Sequence, residues 1–591
     1  MKGILKYAKP YGLFMFFTLI LKFIAAMMDL LIPSFLAKII DDIVPIGDKN
    51  QIFFWGGIMV CCAVCSAVTN ISANRMAEIS AGNMTEKIRY DLFAKISYLS
   101  SRQMDEFTIP SVISRLTSDT YNVNRMLARI QRLGVRGPIL LLGGIVITMS
   151  IEPKLALVLL AALPVIVLIV IVVTTQSVPI YDKQQGVLDD MVRILRENIT
   201  GVRVIRALSR TEYEKKRFDE VNDKLAKTEQ KAGNISAASN PSTTLVLNMG
   251  FAGVILMGAY LVDKGETGPG AIIAFLSYFT IILNAMLGIT KIFIMCSKGI
   301  ASARRITEVL ETSEDMVVDT SERIVKMWSE NGQMKEEDSF KAAEKAIATP
   351  FIEFKNVFFS YLGKKNNLTD ISFSLRKGET LGIIGPTGSG KSTIIQLLLR
   401  FYDINEGQIL VDGRDIRSIP FKELRGYFGV VFQNDYLMAA SIEENVDYFR
   451  NLDEDGIRQA VKSAQAEEFI KEKQGEMDAM VQVRGNNLSG GQKQRIMIAR
   501  ALAARPEVLI LDDASSALDY QTDAKLRKVL SEHYKDTTVV QIAQRISSLV
   551  NADRILVLEE GRCMGYGTHE SLLKDCELYR QIYELQTGKE A

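Results

Sequence analysis

The stretch Gly385-Pro386-Thr387-Gly388-Ser389-Gly390-Lys391-Ser392-Thr393 decides how this 591-residue chain is read. An apolar run, Thr380 to Ile384, precedes it and Ile394 to Leu399 follows, so strand, glycine loop and helix come in the order a phosphate site requires. Glycines let successive backbone N–H groups curl around phosphate oxygens, the Lys391 ammonium reaches the outer phosphates, and the Ser392 hydroxyl falls where Mg²⁺ would take it. The spacing predicts a nucleotide site.

Outward from this loop the chain has two unlike halves. A hydrophobic share of 48% places part of the protein in lipid, and the apolar part is the first half. A formal charge of +1, with basic residues not gathered into a stripe, gives no reason to expect nucleic acid as a partner. Three of the six cysteines, Cys61, Cys62 and Cys65, lie inside an apolar run, where they read as small hydrophobes. Met1 to Lys9 leads into an apolar run with no small-residue cleavage pattern, which predicts a retained span rather than a signal peptide.

Stretches able to reach the roughly 20 residues that a bilayer requires lie near 12–36, 52–72, 133–151, 155–177, 243–262 and 270–296. Short connections alternate with long ones at 73–132 and 178–242. Each short connection holds a single Lys and each long one about ten Lys and Arg, so the long ones, and both termini, are expected on the cytoplasmic side. Met84 to Met104 and Leu188 to Leu208 carry apolar residues at helical spacing, so the spans are expected to continue as helices beyond the bilayer. Leu92 to Asp119 and Glu197 to Ile205 are candidates for the turns that touch whatever lies below. Lys22 and Asp29 share one face of the first span, and Asn284 and Lys291 one face of the last. Each pair could meet a substrate or a neighbouring helix.

Residues 1–310 are thus expected to form an all-α membrane domain, 311–350 a charged linker without sustained periodicity, and 351–591 a soluble α/β nucleotide domain. In that last part Tyr361 ends a strand and offers an aromatic face to an adenine, or serves as a core tyrosine. Ser489, Gly490 and Gly491 open a strong helix pattern and predict an anion site at its N-terminus. Val508 to Asp512 is an apolar strand ending in a carboxylate suited to Mg²⁺.

With Leu488-Ser489-Gly490-Gly491-Gln492 ahead of that strand, the chain resembles the ATP-binding cassette exporters, in particular half-transporters with one membrane domain before one nucleotide domain. The resemblance implies a type IV exporter-like six-helix membrane domain in a lipid bilayer, followed by an α/β P-loop domain that uses ATP and Mg²⁺. It implies that Gly385 to Thr393 cradle the phosphates and that Tyr361 stacks on adenine. Ser392, Gln433 and Asp512 are then expected to hold the metal, with Gln433 sensing the membrane domain. Ser489 to Gln492 are expected to meet the ATP held by the other subunit of a head-to-tail dimer, and Ser516-Ala517-Leu518-Asp519 look like the family's D-loop.

Two positions depart from the family pattern. Asp513 stands where a Glu usually polarises the attacking water, and Gln544 stands where a His switch is usual. An Asp draws the carboxylate back by one bond and a Gln cannot carry a proton. Both changes fall on what the resemblance makes the catalytic positions of this chain's own site, while Leu488 to Gln492, the family's signature, are intact. The chain is therefore expected to be the degenerate-site half of a heterodimeric exporter in the cytoplasmic membrane, paired with a homologous half-transporter and moving an amphiphilic small molecule, multidrug export being the leading reading. Lipid or peptide export, and iron-chelate import through the same architecture, remain alternatives.

Overall fold

The computed structural model describes residues 2–316, 318, 350–361, 363, 365–433 and 436–588, and the expected linker at 311–350 lies outside them except at its ends. The chain forms two compact units. One comprises Met1–Tyr98 with Ile109–Thr312, and the other Leu99–Thr108 with Ser313–Ala591.

The first unit is helical: α1 (Gly12–Lys38), α2 (Lys49–Ser97), α4 (Thr120–Leu133), α5 (Arg136–Ile151), α6 (Pro153–Thr200), α7 (Val202–Ala207), α8 (Thr211–Asp263) and α9 (Pro269–Leu310). Among the described residues five helical stretches are long and apolar enough to cross a membrane, and a sixth, Pro153–Ile169, is a shorter apolar part of α6. Five of the six expected crossings are met by these stretches and the expected fourth, 155–177, is represented by the shorter one, while α2 and α6 run far past their apolar parts, as the periodicity predicts. Only 11% of the most apolar window of Lys49–Ser97 is buried, so a lipid bilayer is the medium that its Phe53, Phe54, Val60 and Val64 require. Capping fixes the ends: Asp48 accepts from Asn50 and Gln51 N–H at the start of α2, and Asp41 accepts from Gly270 and Ala271 N–H at 2.6 and 2.9 Å to seat α9. Lys22 is fully buried and donates to Asn70 and Asn74 at 2.5 and 2.7 Å, so this charge is spent between helices.

Between the two parts of the first unit runs α3 (Ser101–Phe107), which belongs to the second unit. Ser100 and Gln103 form a reciprocal cap at its start. Gln103 also donates to the Ser313 carbonyl at 2.7 Å, and Asp105 accepts from the Tyr402 hydroxyl at 2.6 Å. Part of the first candidate turn is thus built into the second unit.

The second unit holds two sheets. Strands β1 (Ile352–Phe359), β2 (Leu368–Leu375), β4 (Glu406–Val411) and β5 (Arg414–Asp415) make an antiparallel sheet in the order β2-β1-β4-β5. Strands β3 (Thr380–Ile384), β6 (Phe428–Val431), β7 (Val508–Asp512), β8 (Thr538–Ile542), β9 (Arg554–Glu559) and β10 (Arg562–Gly567) make the other, in the order β10-β9-β3-β8-β7-β6. All its pairings are parallel except β10 with β9. The parallel strands are mostly apolar, and β7 and β8 are buried at every position, the mark of strands covered on both faces. Phe354 and Phe373 stack at 4.5 Å inside the core shared by the two sheets, and each fully buried ring contributes roughly 2 kcal/mol.

Candidate functional site

Parallel order places the expected residues together, because β3, β8, β7 and β6 lie side by side and the motifs follow their carboxyl ends. The glycine loop follows β3 and leads into α10 (Lys391–Leu398), Gln544 follows β8, Asp512 ends β7, and Gln433 stands exposed in the turn after β6.

The loop is shaped to take phosphate. A Cβ at Gly385 would lie 2.0 Å from the Leu558 carbonyl oxygen, while Gly388 has a φ of +83° and open space where a side chain would stand. Thr387 and Gly388 are exposed on the same turn. The Ser389 hydroxyl oxygen is buried without a partner, an orphan that a phosphate oxygen would satisfy. The Lys391 ammonium folds back onto the Gly385 and Pro386 carbonyls at 2.9 and 2.7 Å. Burial lowers its pKa while Asp512 and Asp513 oppose that shift. Asp512 is buried and hydrogen-bonds with Ser392, and desolvation holds its carboxyl above the usual range. Ser392 and Asp512 therefore form an oxygen pair fit for Mg²⁺ beside a cationic phosphate loop, and the donors fit ATP with its metal.

Tyr361 packs edge-on against Phe359 and Tyr402, with ring centroids 4.7 and 5.0 Å away. Its hydroxyl donates to Gln396 Oε1 at 2.5 Å and lies 3.1 Å from the Thr393 hydroxyl, which donates to it. A cavity of about 520 Å³ lies beside it, lined also by Asp105, Tyr402 and Asn405. The tyrosine is thus packed against the core on one side and lines the cavity on the other. Sequence reading missed Tyr402, which joins this wall to α3, because nothing in the spacing of Phe401-Tyr402-Asp403 marks a long-range contact.

At the two altered positions, Gln544 Nε2 donates to Asp513 Oδ2 at 2.9 Å. Asp513 has a φ of +54°, a left-handed conformation that Asp tolerates better than most residues. Its amide donates to the Ile542 carbonyl, which ties the ends of β7 and β8. Burial raises its pKa, opposed by the Gln544 hydrogen bond, Lys391 and Arg545. Gln586 of α12 (Glu577–Thr587) donates to the Gln544 carbonyl and accepts from Ile546 N–H, both at 2.8 Å, and pins the loop that carries Gln544.

The signature lies at the start of α11 (Gly490–Ala503). Ser489 accepts from Gln492 N–H while the Gln492 side chain accepts from Ser489 N–H. This reciprocal cap leaves the amides of Gly490 and Gly491 at the positive end of the helix. Gln494, one turn on and buried, donates to the Asp513 carbonyl at 3.2 Å and accepts from Ala517 N–H at 3.0 Å. That link between signature helix, D-loop and Asp513 had no sequence signal beyond a polar residue on an otherwise apolar helix face.

Comparison with known proteins agrees with this geometry. Residues 15–286 match the family model described as ABC transporter transmembrane region, and residues 368–516 match the model described as ABC transporter. The chain is similar to YfiB of Bacillus subtilis, an uncharacterized ABC transporter ATP-binding protein, with 34% identity across 100% of this chain and 99% of the relative. It is also similar to YheH of the same organism, a probable multidrug resistance ABC transporter ATP-binding/permease protein, with 30% identity across 91% of this chain and 77% of the relative. Among solved structures, a bacterial Atm1-family ABC exporter with ATP bound superposes with a TM-score of 0.78 at 24% identity, over 97% of this chain and 98% of the other, which shows the fold.

Proposed function

The chain belongs to the ABC transporters, as an exporter-type half that joins one membrane domain to one nucleotide domain, and we propose that it serves as the degenerate-site subunit of a heterodimeric exporter. The observation that carries this reading is the 2.9 Å hydrogen bond from Gln544 to Asp513. It occupies one oxygen of a carboxylate already one methylene shorter than Glu, and the amide that makes it cannot relay a proton.

Mg-ATP supplies the bond to be cleaved and the charge that the site neutralises when it is bound. Lys391 would exchange the Gly385 and Pro386 carbonyls for phosphate oxygens. Ser389 and the loop amides would satisfy others, and Ser392, Asp512 and Gln433 would hold the metal. Tyr361 would present its ring to the adenine. Asp513 and Gln544 would orient water poorly, so turnover at this chain's own site is slow, while Ser489 to Gln492 complete the partner's faster site. Closure of the two nucleotide units would reach the membrane helices through α3, whose Asp105 accepts from Tyr402.

The cargo is read as an amphiphilic small molecule, in keeping with the apolar helices and with the multidrug name of the YheH relative. The protein spans a membrane several times. The Lys and Arg of the long connections support a cytoplasmic membrane with both termini inside. Lipid, peptide or chelate cargo is separated by transport direction and competition in vesicles.

A second reading has one observation in its favour: burial raises the Asp513 pKa and so strengthens it as a base, as an active site with a short base would require. ATPase rates of the assembled pair decide between the two. Asp513→Ala here is expected to cost less than about threefold, and Glu→Gln at the matching partner position more than about a hundredfold. A larger loss from Asp513→Ala would make this chain the active half. Lys391→Ala is expected to weaken nucleotide binding at this chain's site by about tenfold or more.

A further inference from the structure

The membrane unit contains a cavity of about 730 Å³ between α1, α5 and α9, within the range of small-molecule sites. Its walls are mostly apolar, from Ile32, Leu140 and Ile281 among others, and its polar end is formed by Asp29, Arg136 and Asn284. Asp29 and Arg136 are an ion pair at 2.6 Å whose side chains remain 24% and 27% exposed. Both members of the pair line the cavity.

The hydrogen-bonding capacity of this end is lopsided. Both Asp29 oxygens are engaged, Oδ1 by the Ser66 hydroxyl at 2.6 Å and Oδ2 by Arg136 Nη2. Among the described residues Arg136 makes its hydrogen bond through Nη2, which leaves Nη1 as its free end since Nε is buried, and Asn284 is exposed with no hydrogen bond. The neighbouring cations are spent elsewhere, Lys22 on Asn70 and Asn74 and Arg132 on Glu78. What the cavity has to spare is N–H donors on a fixed cation, and a guanidinium fork matches the paired oxygens of a carboxylate or phosphate.

We propose that this cavity binds amphiphiles carrying a single anionic oxygen head, carboxylate or phosphate, with the head on Arg136 and Asn284 and the apolar body along α5 and α9. The proposal rests on the exporter reading for its purpose, since it names the cargo class, but binding alone can test it.

The probe is a dansyl-labelled undecyl chain bearing a carboxylate, a phosphate monoester, a primary amide or an amine, titrated by fluorescence. The protein is the full-length chain in neutral phosphatidylcholine nanodiscs without nucleotide. At least one anionic head is expected to bind about tenfold or more tighter than the amide and the amine, and the carboxylate and phosphate arms tell which head is preferred. Asp29→Asn combined with Arg136→Gln, which keeps the pair neutral and hydrogen-bonded, is expected to erase the difference. Thr280→Trp, which places an indole inside the cavity, is expected to weaken binding of every head. Equal affinity across the four heads, preference for the amine, or selectivity that survives the double variant would each overturn the proposal. Should that variant not fold, the four heads on the native chain still decide. Nucleotide-driven movement of the probe in vesicles of the assembled pair is a separate readout. Selectivity without movement counts against the exporter reading, and movement without selectivity counts against the anionic head.

Discussion

Lys391, Asp512 and Asp513 gather partly buried charge that is already internally bonded, whereas Ser489 and Gly490 stand exposed at a helix start whose reciprocal cap leaves glycine amides pointing outward. The first region must rearrange before it can act, since its lysine rests on carbonyls and its short carboxylate is held by an amide. The second is preorganised, with donors fixed by the helix itself. Gln494 hydrogen-bonds to both the Asp513 carbonyl and the D-loop, so the two regions are unlike in readiness yet physically joined.

The strongest way to break this contrast is to spoil the prepared region. Gly490→Asp puts a carboxylate on the proposed anion site and is expected to lower ATPase turnover of the assembled pair by about a hundredfold or more. Gly490→Ala is expected to lose far less, because its Cβ would meet Ala517 at an ordinary 3.6 Å, so the pair of variants separates charge from bulk. Unimpaired turnover with the aspartate would mean that the signature does not face phosphate.

Repairing the other region should narrow the contrast. Asp513→Glu with Gln544→His is expected to raise hydrolysis at this chain's own site by about tenfold, read in a pair whose partner site has been silenced. A Glu is less at ease than Asp at φ +54°, so a small fall in melting temperature should accompany the gain. No gain at all would place the defect outside these two side chains.

Cutting the bridge tests whether the regions act together. Gln494→Leu removes both partners of a buried amide and is expected to cost about 1–3 kcal/mol in urea unfolding. It should also slow the pair's turnover by about threefold. Loss of stability with turnover unchanged would reduce the bridge to packing.

The smallest effect concerns buried charge. Burial raises the folded-state pKa of Asp512, so its favourable contribution is complete only below the unfolded pKa and is lost as pH rises through the folded one. At neutral pH its ionised form therefore burdens the nucleotide-free protein. Asp512→Asn is expected to raise the melting temperature by roughly 2 °C while abolishing magnesium-dependent nucleotide binding, and the gain should shrink toward acid pH. A lower melting temperature would show that its attraction to Lys391 outweighs the cost of burial.

Local chemistry was enough for the sequence to determine the elements. Apolar runs of bilayer length, a glycine loop between strand and helix, a serine-capped helix start and an apolar strand ending in Asp512 each follow from residues close together in the chain, where periodicity, capping and backbone freedom operate. The substitutions at 513 and 544 were legible for the same reason, since each lies at a fixed distance from a motif. What the tertiary structure alone decided are contacts between residues far apart. The order β3-β8-β7 brings Gln544 within hydrogen-bond reach of Asp513, α3 meets Tyr402 after nearly three hundred intervening residues, and Arg136 joins Asp29 across two helices to give the cavity its polar end. Strand order and helix packing are set by how apolar faces cover one another over the whole domain, and no local window carries that information.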